Sequence, residues 1–157
     1  MDQIRTKGGP VTISRASRED VPDIVALLRD DEIGAGREGT DLAPYEAAFA
    51  LVDADPNQLL AIARTGDGEP AGTLQLSFVP GLTRGGATRL LVEGVRVHPS
   101  LRGTGLGAAL MEWAHEQGRT RGAALAQLTS DKRRADAHRF YERLGYERTH
   151  DGFKIGL

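Results

Sequence analysis

One stretch of the chain, residues 95–110, passes from an apolar strand into an amphipathic helix through a loop with three glycines in five positions. The start of a helix leaves backbone N–H groups without intrahelical partners and carries partial positive charge. Glycines let a ligand's phosphate groups approach the main chain, because no Cβ stands in the way. The stretch therefore predicts an anion-binding loop between a strand and a helix, with Arg102 as an added cation.

Two common phosphate-binding patterns fit this loop poorly. A Walker loop needs Lys and then Ser or Thr after its last glycine, whereas Gly107 is followed by two alanines. A dinucleotide fingerprint can be written through Gly103, Gly105 and Ala108, but it belongs directly after the first strand of a nucleotide-binding unit. Most of this chain precedes the loop, and too little follows for a doubly wound sheet. The glycines alone therefore leave the ligand open.

Two segments together resemble a known family. The run Arg102 to Gly107, Arg-Gly-Thr-Gly-Leu-Gly, resembles the R/Q-x-x-G-x-G/A loop of the GNAT N-acetyltransferases. The run Ala137 to Tyr146 is similar to that family's second signature, A-x-x-F-Y-E-x-L-G-F/Y. The resemblance covers roughly residues 88–147. It implies an α/β (α+β) fold with a mixed, mostly antiparallel central sheet of about six to seven strands. About four helices should flank the sheet, and its strands should splay at the cofactor site.

The chain length fits one domain of ordinary size. We expect residues 1–10 to form a flexible N-terminal lead and residues 11–157 to form a single N-acetyltransferase domain. Alternation predicts a first strand at 11–16, and Ser17 to Asp20 resembles a capping box that opens a helix ending near Asp30-Asp31-Glu32. Residues 146–157 are predicted to supply a terminal strand.

The resemblance implies an acetyl-CoA-dependent N-acetyltransferase without a metal. The backbone of Val95, Arg96 and Val97 would bond the pantetheine amides of the cofactor like an added strand. The loop would hold its pyrophosphate, through Arg102, Gly103, Thr104, Gly105, Leu106, Gly107 and Ala108. Arg134 stands where many members of the family have an asparagine that helps to bind cofactor. That contact is made by Arg134 or by Ser130, or it is lost.

Two residues are the candidates for proton transfer. The second signature implies that Tyr141 is the general acid for the leaving thiolate, and a phenol with a pKa near ~10 is protonated at neutral pH, as this role requires. Glu93 is the possible general base. Strand alternation places it on one face with Val95 and Val97, where desolvation would raise its pKa. His98 and His138 are lesser candidates.

The acceptor is expected to be an amine of unknown identity. The loop after the first helix is acidic and suits a cationic amine, through Asp30, Asp31, Glu32, Glu38 and Asp41. Solvation alone would explain the same charges. The chain has no cysteine and no G-x-S-x-G elbow, so no obvious nucleophile is available for a covalent acetyl-enzyme. We therefore expect direct transfer in a ternary complex.

Charge and composition restrict the partners. The net charge is −2, which gives no general case for binding nucleic acid or an anionic membrane. The first ten residues contain no apolar export signal and no window approaches a membrane span, so a cytoplasmic location is expected. Exposed sheet edges favour a homodimer weakly.

Two other functions fit parts of the sequence. One is a non-catalytic sensor module that binds acyl-CoA without turning it over. The other is a dinucleotide-binding protein in which Asp131, after the strand that follows the glycine helix, would hold a ribose. Thiol release from acetyl-CoA would distinguish the N-acetyltransferase from the sensor module. Tight NAD binding would identify the dinucleotide-binding protein.

Overall fold

The computed structural model describes residues 1–30 and 32–157, with the backbone alone at residues 32 and 33. Asp31 and the side chain of Glu32, which the sequence places at the acidic end of the first helix, lie outside this description. The chain divides into two compact units, Met1–Gln127 and Leu128–Leu157. No helix of the described residues is long and apolar enough to cross a membrane.

The first unit is built on one six-stranded sheet with the strand order β1-β2-β3-β4-β5-β6. All neighbouring strands are antiparallel except β5 and β6, which run parallel. Its elements in chain order are β1 (Asp2–Thr6), β2 (Gly9–Arg15), α1 (Val21–Arg29), α2 (Glu32–Ala35), α3 (Ala43–Ala54), β3 (Gln58–Thr65), β4 (Pro70–Val79), α4 (Thr83–Gly86), β5 (Thr88–Val97), α5 (Leu106–Thr120) and β6 (Ala123–Gln127). The mixed α/β fold expected from the sequence is confirmed.

Helices cover both faces of the sheet. Ile62 of β3 faces α1 and α3, where it joins a core cluster with Val25 and Phe49. The opposite face carries Leu74 and Leu90 towards α5. A Cβ added at Gly118 of α5 would lie 3.0 Å from Leu90, so this helix packs directly on the sheet. Both faces are therefore buried, as the apolar central strands require.

Polar contacts fix the start of α1 where the sequence predicts it. The Ser17 backbone N–H donates to the Asp20 carboxylate at 2.8 Å, which is the reaching-back half of a capping box. Arg64 of β3 donates to Asp20 and, at 2.8 Å, to Asp23. These bonds tie the first turns of the helix to the sheet. The pKa of Asp20 is lowered: burial acts to raise it, but the bonds from Arg64 and Ser17 outweigh burial.

The prediction of a flexible lead over residues 1–10 is wrong. Asp2–Thr6 forms an edge strand that pairs with β2, and Gly9 and Pro10 already belong to β2. Side-chain contacts add to the pairing, since the Trp113 indole N–H of α5 donates to the Asp2 carboxylate at 2.7 Å. This short polar run has too little apolar alternation to predict a strand. It forms a strand because it pairs with its neighbour in the sheet.

The second unit contains α6 (Ala135–Arg143) followed by Gly145 in the left-handed region at φ +90°. The Tyr146 N–H returns to the Tyr141 carbonyl at 3.1 Å, which closes the helix as a glycine at this position predicts. The predicted terminal strand at 146–157 is not formed. The alternating apolar residues Phe153, Ile155 and Leu157 are exposed, and within this described unit no strand pairs with them.

Candidate active site

A β-bulge interrupts β5 just before the glycine loop. Gln75 of β4 pairs with Glu93, while Thr73 pairs with Arg96, so three steps on β5 face two steps on β4. Gly94 absorbs the extra residue with φ +61°, a conformation that favours glycine. The β-bulge bends the strand and resets the direction of every side chain that follows it.

The β-bulge corrects the predicted place of Glu93. Thr73 and Gln75 are two residues apart on β4 and share a face, so Glu93 and Arg96 share that face as well. Val95 and Val97 therefore point to the other face, and not to that of Glu93. The Glu93 side chain is exposed rather than buried in apolar surroundings. The predicted desolvation of its carboxylate is wrong.

Beyond the β-bulge, β5 has one edge that bonds β4 and one edge that faces away from β4. The His98 N–H donates to the Ala71 carbonyl of β4 at 2.8 Å. Successive residues turn their N–H and C=O groups to opposite edges, so Val95 and Val97 turn theirs away from β4. β6 pairs with this edge from Thr88 only as far as Leu91, and among the described strands none pairs with it further on. The predicted splay therefore has a structural basis.

The backbone of the glycine loop is built for a ligand's close approach. Gly103 and Gly105 have φ +78° and +89°, and a Cβ at either position would meet nothing within 4 Å. Ala109 makes the first bond of α5, from its N–H to the Gly105 carbonyl at 3.1 Å. The N–H groups of residues 106–108 precede that ladder and point out of the helix end. This arrangement can hold an anion such as a pyrophosphate.

Contacts from two other segments hold the loop in place. The Lys7 N–H, in the turn between β1 and β2, donates to the Thr104 carbonyl at 3.0 Å. Arg102 donates to the Asp30 carboxylate at 2.8 Å, just after α1. Arg102 is therefore paired within the protein, and its predicted contact with phosphate stays a prediction. His98 accepts from the Ser100 N–H and caps the short turn before the loop.

A second polar cluster lies on the side of the sheet that α1 and α3 cover. The Glu38 side chain is 14% exposed, and it accepts from the Arg37 Nε at 2.7 Å. Tyr45 of α3 donates to the other Glu38 oxygen at 3.0 Å and accepts from the Gly39 N–H at 2.8 Å. Burial acts to raise the pKa of Glu38, but the bonds from Arg37 and Tyr45 and the charges of Arg37 and Arg96 lower it. The carboxylate is ionised and fixed in direction.

Tyr141 lies in the second unit on α6, within a group of three aromatic rings. Its ring centroid is 5.2 Å from that of Phe140 and 5.9 Å from that of Tyr146, both in edge-on arrangements. Burial and the neighbouring Tyr141 raise the pKa of Tyr146 to about 12, so this phenol stays protonated. The ring of Tyr141 is half-buried, as its helical position predicts.

The remaining candidates of the second unit make local contacts, and the predicted cofactor contact of Arg134 stays a prediction. Arg134 is the N-cap residue of α6. Asp131 accepts two bonds from the Arg133 side chain, which lower the pKa of that carboxyl well below its usual range. His138 bonds the Asp131 carbonyl through Nε2 at 2.8 Å. The sheet of the first unit has one parallel pair of strands, and this contradicts the dinucleotide-binding alternative, because that fold needs a mostly parallel sheet.

Sequence reasoning missed Gly94 and Tyr45 as parts of a site, and it named Glu38 only as one of five acidic residues that suit a cationic amine. Gly94 carried a usable signal, because a glycine inside a strand pattern commonly marks a bulge. The contact between Glu38 and Tyr45 carried none, since it depends on how the loop folds. No group of three His, Asp or Glu residues in the described part of the chain is placed to hold a metal.

A family model and several known proteins match the chain. A model of the acetyltransferase (GNAT) family matches residues 21–146. An aminoalkylphosphonate N-acetyltransferase of Salmonella typhimurium is 32% identical over 145 residues, which cover 92% of this chain and 90% of the relative. A glucosamine 6-phosphate N-acetyltransferase of Trypanosoma brucei brucei is 38% identical over 84 residues, which cover 54% of each chain.

A solved structure is similar over almost its whole length. The crystal structure of a protein described as a transcriptional regulator from Bacillus halodurans C-125 has a TM-score of 0.89 and 42% sequence identity. The match covers 94% of this chain and 99% of that one. A solved structure of an Agrobacterium tumefaciens protein described as an acetyltransferase has a TM-score of 0.81 at 25% identity, over 93% of this chain and 99% of that one.

Proposed function

The chain belongs to the acetyltransferase (GNAT) family and is an N-acetyltransferase, and we propose that it moves the acetyl group of acetyl-CoA to a primary amine by direct attack in a ternary complex. The observation that carries the proposal is the geometry of β5. Its edge beyond Leu91 has no strand partner among the described residues, and it leads straight into the glycine loop.

The residues present fit acetyl-CoA. The outward N–H and C=O groups of Val95 and Val97 match the amides of a pantetheine arm in the manner of an added strand. The helix-end N–H groups of residues 106–108 suit the pyrophosphate, and the open space at Gly103 and Gly105 lets it approach. The Arg96 guanidinium donates to the Val95 carbonyl at 2.9 Å and fixes that peptide.

The chemistry then needs one bond formed and one broken. The amine nitrogen attacks the thioester carbonyl carbon, and the Val95 N–H stabilises the negative charge that develops on the oxygen. The C–S bond breaks, and the thiolate takes the proton of the Tyr141 hydroxyl. Before attack the ammonium loses one proton to Glu93, whose exposed carboxylate passes it to water. After attack the nitrogen loses a second proton, which returns through water to the Tyr141 oxygen. No acetyl-enzyme forms.

We propose that the acceptor is a small amine that also carries an anionic group. Two relatives are named for such acceptors, an aminoalkylphosphonate and glucosamine 6-phosphate, and each combines an amine with a phosphorus oxyanion. On this chain the acceptor would lie on the face of the sheet that carries Glu93 and Arg96. A guanidinium is the group that best matches a phosphonate or phosphate.

The test is thiol release from acetyl-CoA across a panel of amines. The panel holds 2-aminoethylphosphonate, glucosamine 6-phosphate, ethanolamine, free amino acids and lysine peptides. We expect turnover with the first two, and initial-rate lines that intersect as a ternary complex requires. Parallel lines or a trapped acetyl-enzyme would contradict direct transfer. Retained CoA binding without turnover of any amine would favour the acyl-CoA sensor instead.

We also propose a homodimer, because β1 is an edge strand of the sheet and the apolar side chains of Phe153, Ile155 and Leu157 are exposed. Exposed strands and apolar side chains of this kind are places where a second copy can pair. Light scattering on the eluting peak of a size-exclusion column would give twice the chain mass. A single chain mass at all concentrations would contradict the proposal.

A further inference from the structure

Among the described carboxylates between α1 and α3, that of Glu38 is the least exposed. The segment around Glu38 is largely exposed, yet the Glu38 side chain is 14% exposed. The Arg37 and Glu38 N–H groups both bond the Gly34 carbonyl, at 2.9 and 2.8 Å, which turns the chain inward at this point. A charged group is costly to bury, so its position requires compensating contacts.

Tyr45 fixes the direction of that carboxylate. Its hydroxyl donates to Glu38 at 3.0 Å and accepts from the Gly39 N–H at 2.8 Å, so one phenol holds both the side chain and the loop. The Tyr45 ring packs against the core cluster beneath α1 and α3. The hydrogen bond therefore rests on a rigid base, and Glu38 presents one oxygen edge in a constant orientation.

The cluster also lies near the β-bulge where transfer is proposed. Leu28 packs against the same core cluster as Tyr45, and it reaches 3.7 Å from the position of a Cβ added at Gly94. The charge of Arg96, two residues beyond Gly94, acts on Glu38. Glu38 is therefore on the acceptor side of β5, opposite the face to which Val95 points.

A cation can reach the Glu38 carboxylate from solvent. Its other oxygen bonds Arg37, the preceding residue, whose side chain is 62% exposed. The Arg37 guanidinium lies largely in water, so the ammonium of a substrate that makes further contacts with the protein can take its place on this oxygen. The guanidinium shows where such a cation would sit, on the oxygen that Tyr45 leaves available.

We propose that Glu38, oriented by Tyr45, binds the ammonium group of the acceptor amine and so selects acceptors that are positively charged at the nitrogen. This inference rests on the proposed N-acetyltransferase function and names the group that recognises its second substrate. Glu38 is a binding residue in this scheme, and Tyr45 is a positioning residue. The acceptor binds as an ammonium ion and loses a proton before attack.

The experiment compares Glu38→Gln with the parent protein, using 2-aminoethylphosphonate as acceptor. Glutamine keeps an oxygen for Tyr45 but has no charge. We expect KM for the amine to rise at least tenfold, with KM for acetyl-CoA unchanged. Tyr45→Phe should raise KM for the amine three- to fivefold. The matched control is Glu46→Gln, which removes another ion-paired carboxylate, on α3, and should leave both KM values unchanged.

A second measurement separates recognition of charge from loop structure. 2-Hydroxyethylphosphonate, which has a hydroxyl in place of the amine, serves as a competitive inhibitor. Glu38→Gln should leave its inhibition constant within twofold, because no ammonium is present to lose. Equal weakening of amine and inhibitor would overturn the inference and assign Glu38 to loop structure. Unchanged KM for the amine would also overturn it, while leaving the proposed function intact.

If the parent protein acetylates none of the amines in the panel, the proposed function fails and the inference fails with it. If another amine of the panel is the better acceptor, the same comparison is made with that amine and its hydroxyl analogue. Turnover by the parent with selective loss in Glu38→Gln would support both. The two proposals therefore fail on different observations.

Discussion

The glycine loop and the loop around Glu38 are proposed to bind the two different substrates, and they are built in different ways. The glycine loop acts through its main chain, with N–H groups at a helix end and two glycines at positive φ. The Glu38 loop acts through side chains from α3 and from its own turn. A site made of backbone groups needs glycines at fixed positions in the sequence. A site made of side chains needs no fixed spacing of those residues in the sequence.

This difference matches the two substrates. A CoA pyrophosphate is the same in every reaction of the donor, so a general backbone cradle serves it. Acceptors differ in size and charge, and side chains can be exchanged without changing the fold. Substitutions in the two loops should therefore separate donor binding from acceptor binding, and substitutions elsewhere should separate both from chemistry.

The largest effect is expected at Tyr141, which belongs to neither loop. Tyr141→Phe removes the proposed proton donor to the thiolate, and general acids contribute about 10²- to 10⁴-fold to rate. We expect kcat to fall about 10²-fold, with both KM values within threefold. Tyr146→Phe, on the adjacent ring of the same aromatic group, is the control and should keep nearly full kcat. Full activity of Tyr141→Phe would remove this residue from the mechanism.

Gly105→Ala should come next, and it tests the backbone cradle. A residue with a Cβ at positive φ costs about 1–2 kcal/mol, so we expect KM for acetyl-CoA to rise about tenfold, with KM for the amine unchanged. Gly122→Ala is the matched control, because Gly122 has φ +72° just after the other end of α5 and a Cβ there also meets nothing within 4 Å. Similar thermal destabilisation in both variants, with a KM effect in the first alone, would support the donor assignment. Equal KM values in both would refute it.

A smaller effect is expected from the strand that braces the loop. Trp113→Phe removes the bond to Asp2 and loosens β1, whose turn holds the Thr104 carbonyl through Lys7. A hydrogen bond at the surface is worth about 1 kcal/mol, so melting should fall by a few degrees and KM for acetyl-CoA should rise about twofold. Asp2→Asn keeps an acceptor and should behave like the parent. A change in KM for the amine instead would mean that the brace does not act on the donor loop.

The smallest effect concerns the one ion pair described above that links the glycine loop to the end of α1. Asp30→Asn removes the charge from the pair with Arg102, and exposed pairs of this kind are worth about 0–1 kcal/mol. We expect KM for acetyl-CoA to fall about twofold, because Arg102 can then turn to the phosphates. Asp53→Asn, in the comparably exposed pair with Arg15, is the control. A raised KM would show that the pair positions the loop.

The sequence made the glycine loop and its helix predictable, for the reason given by this comparison. Gly103, Gly105 and the helix that follows stand at fixed spacings, and the structure places them as predicted. The order of most strands and helices followed from alternation and from breaks at Gly and Pro. The flexible lead failed because β1 depends on pairing with β2 and on a contact from Trp113, and a short polar strand shows neither.

The prediction that Glu93 shares a face with Val95 was wrong for a geometric reason. Strict alternation placed Glu93 with Val95, but one extra residue at Gly94 reverses the relation for everything beyond it. The Glu38 contacts could not be predicted from the sequence, because Tyr45 comes seven residues later on another element and contacts Glu38 only once the loop has turned. The terminal strand failed because alternation over Phe153, Ile155 and Leu157 does not itself provide a partner.

The short parallel pairing of β5 and β6 affects how the protein should be handled. Pairing stops at Leu91, which leaves a strand edge inside the sheet where a second molecule can add its own backbone and begin a precipitate. A bound donor molecule would occupy the same main-chain groups. Purification and storage with saturating CoA should therefore keep concentrated samples clear for longer, and dialysis against buffer without it should shorten that time.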